Sequence, residues 1–239
     1  MLRLQGISHH FGGLEVLRNI EFIVAEGELL GLIGPNGAGK TTLFNVITGF
    51  VHPQRGRIFF RDRDVTGYPT YRLARLGLVR TFQGARTFAN LSVEDCLRVA
   101  RYRRVAGSDR GGELEKVVRL LDLDKFATGQ ASSLTAGLAR LLGIAMALST
   151  GARLLLLDEP AAGLNAEETE VLQMSIRRLQ QTGVTIVVVD HNLHFLMNLV
   201  SRAIVLDAGR LIADGPPATV TAEPRVIEAY IGGGDLAGG

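Results

Sequence analysis

Short runs of apolar residues punctuate the chain and alternate with stretches of helical spacing. Glu28-Leu29-Leu30-Gly31-Leu32-Ile33, Leu154-Leu155-Leu156-Leu157 and Val184-Thr185-Ile186-Val187-Val188-Val189 show no polar alternation, the pattern of strands buried on both faces of a parallel sheet. Thr42-Leu43-Phe44-Asn45-Val46-Ile47-Thr48 predicts a helix stopped at Gly49, and a second helix starts near Ala166 and ends near Gly183, with Leu172, Ile176 and Leu179 on one face. Glu113 to Leu123 carries Leu114, Val117, Val118 and Leu121 at i, i+3, i+4, i+7, so the section from 84 to 150 reads as helical. Leu2-Arg3-Leu4 and Ile20 to Val24, about a turn at Phe11-Gly12-Gly13, predict a small antiparallel sheet. Arg57-Ile58-Phe59-Phe60 and Val79 to Gln83 predict further strands, and Ala203 to Asp207 with Arg210 to Ala213 a closing hairpin about Ala208-Gly209. Strands alternating with helices give an α/β class.

Gly34-Pro35-Asn36-Gly37-Ala38-Gly39-Lys40-Thr41 fits G-x-x-x-x-G-K-[ST] and stands between a predicted strand and a predicted helix. Glycines let the backbone curl so that successive N–H groups face one anion, and the helix N-terminus adds about half a positive charge. A triphosphate is the natural occupant. Lys40 is then expected at the β- and γ-phosphates and Thr41 at a magnesium ion, with Thr42 completing the nucleotide-contacting set.

Other candidate residues stand at strand ends. The run 154–157 closes on Asp158 and Glu159, placed to help hold magnesium and to orient or deprotonate an attacking water, respectively. Helix capping is the alternative for this pair. The strand 184–189 closes on Asp190-His191, where His191 could contact a γ-phosphate or be structural. Gln83 ends its predicted strand with an amide able to meet the magnesium or the water. Phe11, beside two glycines, is placed either to lie on an adenine ring or to pack in the core.

Composition narrows the classes. At 239 residues, 46% hydrophobic and 21% charged, the chain can build a sizeable core, and a formal charge of +2 makes no case for a nucleic-acid partner despite a pI near 8.9. Cys96 is the single cysteine, which excludes an intrachain disulfide and fits a reducing compartment. The first residues lack the apolar core of a signal peptide, and no apolar run approaches the roughly 18 residues that span a bilayer. A polar stretch, Arg101 to Arg104 and Ser108 to Gly112, reads as a solvated loop whose arginines could also meet lipid headgroups or an acidic partner. The tail Gly232 to Gly239 is expected to be flexible.

In order and spacing, the phosphate loop at 34–41, Gln83, the pair 158–159 and His191 resemble the ATP-binding subunits of ABC transporters over essentially the whole chain. Phe11-Gly12-Gly13-Leu14, Glu159 to Asn165 and Val226 to Gly232 are similar to the subfamily that serves importers of branched-chain amino acids and, in near relatives, urea or short amides. The resemblance implies a single domain over 1–239. Its parts would be a P-loop NTPase (RecA-like) core at 1–83 and 151–231 with an N-terminal antiparallel β subdomain, an inserted helical subdomain at 84–150, and a tail at 232–239. It implies ATP and Mg2+ as cofactors, with Thr41, Gln83 and Asp158 at the metal, Glu159, His191 and Gln83 in catalysis, and Phe11 stacking on adenine. It also implies a second ATPase subunit, a membrane permease docked near Gly84 to Val93, an indirect link to a solute-binding protein, and a peripheral place on the cytoplasmic face of the inner membrane. Export of a solute or lipid, or a non-transport ABC role, are the alternatives. The family's signature loop, Leu-Ser-Gly-Gly-Gln, reads here Leu134-Thr135-Ala136-Gly137-Leu138. Thr135 and Gly137 would still face the partner's nucleotide, Leu138 replaces the glutamine, and Met146 stands where relatives often carry arginine.

Overall fold

The computed structural model describes residues 1–81, 88–102 and 113–232. Gln83, residues 84–87 of the expected permease contact, the arginine-containing segment 103–112 and the tail 233–239 lie outside them.

The chain opens with β1 (Leu2–Phe11) and β2 (Leu14–Val24), an antiparallel hairpin turning at Gly12-Gly13. Both strands are longer than the pieces expected. Gly6 and Asn19 sit at positive φ, 62° and 51°, and the register shifts between Leu4 and Ile7 and between Ile7 and His9. Each irregularity resets the inside-outside alternation, so no unbroken period of two is written in the sequence. There follow β3 (Leu29–Ile33), α1 (Lys40–Ile47), β4 (Arg55–Phe60), β5 (Arg63–Asp64), α2 (Thr70–Leu76) and β6 (Leu78–Arg80). The helical section contributes α3 (Val93–Tyr102), α4 (Glu113–Leu120) and α5 (Ala136–Ser149). The chain then alternates again through β7 (Leu154–Asp158), α6 (Ala166–Gln181), β8 (Thr185–Val189), α7 (Leu193–Leu199), β9 (Arg202–Asp207) and β10 (Arg210–Gly215), and ends in α8 (Pro217–Ala222) and α9 (Pro224–Gly232).

Among the described residues two sheets result: an antiparallel one in the order β2-β1-β4-β5, and a six-stranded one in the order β10-β9-β3-β8-β7-β6, parallel except at β10. The six-stranded sheet is covered on both faces. Leu30, Leu32, Leu154, Leu156, Val187 and Val189 pack with Leu43, Phe44 and Ile47 of α1 and with the β1–β2 sheet. Their neighbours in sequence, Leu29, Ile33, Leu155, Leu157, Ile186 and Val188, pack with Leu141, Leu142 and Ala145 of α5 and with Leu172, Ile176 and Leu179 of α6. Successive strand residues point to opposite faces, so burial on both produces the unbroken apolar runs.

Smaller elements differ from expectation for local reasons. α4 stops at Leu120 because Asp122 turns at φ 56°, yet Leu121 N–H still reaches the Val117 carbonyl at 3.0 Å and both Leu121 and Leu123 are buried. β6 is three residues long and ends at Arg80, before Gln83. α2 and α7 have seven residues each, too few for a periodicity to be read. Gly232 ends α9. Among the described residues no helix is long and apolar enough to cross a membrane.

Candidate functional site

β3 lies in the interior of the parallel sheet, between β9 and β8, and the chain leaves it through the glycine loop. Gly34 adopts φ 154°, and a Cβ there would lie 2.0 Å from the Leu206 carbonyl oxygen. Gly39, at φ 105°, would bring a Cβ within 2.9 Å of the Val16 carbonyl oxygen. Only glycine fits at either position. Gly39 caps α1 without a side chain, and no acidic residue stands in the first turn, so neither a cap nor a carboxylate competes for the helix N-terminus. Lys40 is buried. Its ammonium donates to the carbonyls of Gly34 at 2.5 Å and Pro35 at 2.9 Å, which holds a positive charge over the loop. Thr41 is exposed on the first turn of α1 and Thr42 is half-buried. Within the loop Asn36 and Gly37 are exposed and Pro35 and Ala38 buried.

β7 and β8 are parallel neighbours, with Asp158 paired to Val189, so their C-terminal ends are brought together. Glu159 leaves β7 in the left-handed region at φ 48°, an uncommon conformation for a non-glycine residue, and its N–H donates to the Val189 carbonyl at 2.7 Å. That turn puts Glu159 Oε1 2.5 Å from His191 Nε2. The carboxylate side chain is 16% exposed and the imidazole 53%, so the pair opens to solvent on the histidine side.

Asp190, between them, is a residue to which the sequence reading gave no role. Its buried carboxylate accepts from the N–H groups of Ala161 and Asn192, each at 2.9 Å, which ties the turn after Glu159 to the start of α7. Burial pushes its carboxyl above the usual range, against those two hydrogen bonds, and the charge of Glu159 pushes the same way. The available signal was its position, since it ends an apolar strand as Asp158 does. Arg80 was also missed. Its guanidinium donates to Asp158 Oδ2 at 2.5 Å and to Asn45 Oδ1 at 2.6 Å.

Phe11 is 53% exposed, its ring edge-to-face with His9 at 4.6 Å, so it is not a core residue. The hairpin that carries it passes the phosphate loop at Val16, beside Gly39. Thr135 and Gly137 lie at the start of α5 and are tied to α6 rather than to the glycine loop of their own chain. Thr135 caps α5, its hydroxyl accepting from Leu138 N–H at 3.4 Å, and Gly137 N–H donates to Glu168 Oε1 at 3.0 Å. The Gly137 and Asn165 amides hold the Glu168 carboxyl below its usual range. Leu138 and Met146 are partly buried against the core, so both departures from the signature pattern serve packing.

The donors fit magnesium. The Thr41 hydroxyl and the Asp158 carboxylate are hard oxygen donors, the type that magnesium takes. Among the described residues no group of three His, Cys, Asp or Glu could hold a metal ion.

A glycine loop between a central strand and a helix, with acidic and histidine residues at the ends of neighbouring strands, defines a P-loop nucleoside triphosphatase. The sequence model of the family described as ABC transporter matches residues 17–162, and that described as branched-chain amino acid ATP-binding cassette transporter matches residues 210–235. The chain is 36% identical to the high-affinity branched-chain amino acid transport ATP-binding protein BraF of Pseudomonas aeruginosa and 37% identical to LivG of Escherichia coli. Each match covers 97% of this chain and 98% of the relative. Among solved structures, the ADP conformation of MJ1267, an ATP-binding cassette of an ABC transporter, superposes with a TM-score of 0.84 at 30% identity, over 97% of this chain and 98% of that one. This chain belongs to the ABC transporter family, as an ATP-binding, ATP-hydrolysing subunit.

Proposed function

We propose that the subunit energises uptake of branched-chain amino acids, working as a dimer with a second ATPase subunit on the cytoplasmic face of the inner membrane, against an integral permease supplied by a solute-binding protein. The observation that carries this reading is the match at residues 210–235. Its described part, residues 210–232, is β10 with the helices after it, and the segment lies outside the nucleotide loop and matches the branched-chain amino acid subfamily in particular.

The proposed chemistry is transfer of the γ-phosphoryl group of ATP to water. The loop amides from Gly34 to Gly39 and the Lys40 ammonium hold the phosphates, and Phe11 offers its exposed face to the adenine. Glu159 accepts the proton of the attacking water through its carboxylate. His191, hydrogen-bonded to that carboxylate, would hold it in place and meet the γ-phosphate. Thr41, Asp158 and Gln83 are the proposed residues for magnesium, which when bound would neutralise charge on the phosphates. Thr135 and Gly137 would face the partner's nucleotide. As the domain division we propose a nucleotide-binding core at 1–83 and 151–231, a helical subdomain at 84–150 and a tail from 232.

The test is transport. Proteoliposomes holding this chain with the permease encoded beside it, and the cognate binding protein, should take up labelled leucine or isoleucine only with ATP inside the compartment facing the ATPase. ATP turnover without uptake of any branched-chain amino acid would contradict the assignment of solute class.

A further inference from the structure

β6 and β7 are parallel neighbours in the register Leu78 to Leu154, Val79 to Leu155 and Arg80 to Leu156. Asp158 stands two residues beyond Leu156, hence on the same face as Arg80, and this face is covered by α1. Arg80 therefore reaches along the sheet beneath the phosphate-loop helix. One end of its guanidinium meets Asn45 of α1 and the other meets Asp158, and the group lies 5.6 Å from the ring centroid of Phe44. The two charged side chains are 7% and 13% exposed. The salt bridge engages Oδ2 of Asp158.

A guanidinium is charged at any pH a protein experiences, so Arg80 is a permanent counter-charge to the carboxylate assigned above to magnesium. Arg80 and Asp158 sum to zero formal charge. A divalent cation arriving alone meets no net attraction and a fixed positive group at its own ligand. Bound triphosphate changes that balance by adding several negative charges.

We propose that Arg80 makes metal binding at Asp158 conditional on nucleotide, by neutralising the carboxylate whenever the phosphates are absent. This inference rests on the reading of Asp158 as a metal-facing residue. Unit charges a few ångströms apart at an effective dielectric of about 20 change a binding constant by well over tenfold, and a divalent ion doubles the free energy and so squares that factor. Neutralising Arg80 should therefore open the site to a free cation.

The experiment measures Mn2+ binding to the full chain without nucleotide, by the electron paramagnetic resonance signal of the free ion, with folding checked by circular dichroism. Arg80→Gln is expected to bind Mn2+ at least about tenfold more tightly than the wild type. Arg80→Lys, which keeps the charge, should stay near wild type, and Arg80→Gln with Asp158→Asn should lose the gain. Should Arg80→Gln not fold, Asn45→Asp gives the guanidinium a second carboxylate and draws it from Asp158, and it is expected to tighten Mn2+ in the same direction by a smaller factor. A folded Arg80→Gln no tighter than wild type, an unchanged Asn45→Asp, or a gain that survives Asp158→Asn each overturns the proposal. The reading of Asp158 is tested separately, by the Mg2+ dependence of binding of a non-hydrolysable ATP analogue. If Asp158→Asn leaves that dependence unchanged, both the reading and the proposal fail. If it weakens the dependence while Arg80→Gln gains nothing, the reading stands and the proposal alone fails.

Discussion

Asp190 carries a pH dependence whose sign follows from its surroundings. Burial raises its carboxyl pKa in the folded chain above the unfolded value of 3.8, so the folded state binds this proton more tightly than the unfolded state does. Its contribution to stability is complete below the unfolded pKa and is lost as pH rises through the folded pKa. Asp190→Asn presents one carbonyl oxygen where the carboxylate uses both, one for the Ala161 and one for the Asn192 N–H, and it does not titrate. Urea unfolding from pH 4 upward should therefore show the variant less stable throughout, with a flatter decline than wild type. Parallel curves would show that Asp190 does not titrate in this range. Residues of this kind are hard to read in advance. The glycine loop is a pattern of spacing and was legible, whereas the left-handed turn of Glu159, the Arg80 salt bridge and the Asp190 staple arise from the meeting of distant segments. Phe11 had two readings because exposure is a tertiary property, and the structure leaves it outside the core.

Among the elements, those that bury both faces or a clear stripe were legible, and those shorter than two turns were not. α6 shows why its start was clear. Asn165 accepts from Glu168 N–H at 2.9 Å and the Glu168 side chain accepts from Asn165 N–H at 3.3 Å, a reciprocal capping box written locally in sequence. The same Glu168 carboxylate accepts the Gly137 N–H, so this cap also anchors the start of α5. Asn165→Ala should lower unfolding stability by about 1 kcal/mol. A chemical denaturation curve with an unmoved midpoint would mean that the cap contributes nothing. β1 and β2 were only half legible because their bulges at Gly6 and Asn19 break the alternation that marks a strand.

For the whole molecule, the departure at Leu138 matters if each site is completed by a second subunit. Restoring the signature residues by Ala136→Gly with Leu138→Gln removes a partly buried leucine from the core and supplies an amide. The double variant is expected to lose on the order of 1 kcal/mol of stability. It should gain about tenfold in ATP-dependent dimerisation, the effect of one added hydrogen bond to a charged group. Sedimentation of the two proteins with and without ATP compares them directly. An unchanged dimerisation constant would mean that Leu138 is a tolerated variation. Such an interface could not be read from one chain, because half of every site would lie on another.

The central claim is that Glu159, held by His191 at the end of β7, activates the water that cleaves ATP. Glu159→Gln keeps the shape of the side chain and removes its basic oxygen. ATP affinity by calorimetry and phosphate release under saturating ATP should be measured on the same preparation. Binding within about threefold of wild type with phosphate release reduced by at least about a hundredfold is the predicted result, in line with the size of general-base effects. Phosphate release at the wild-type rate would contradict the account.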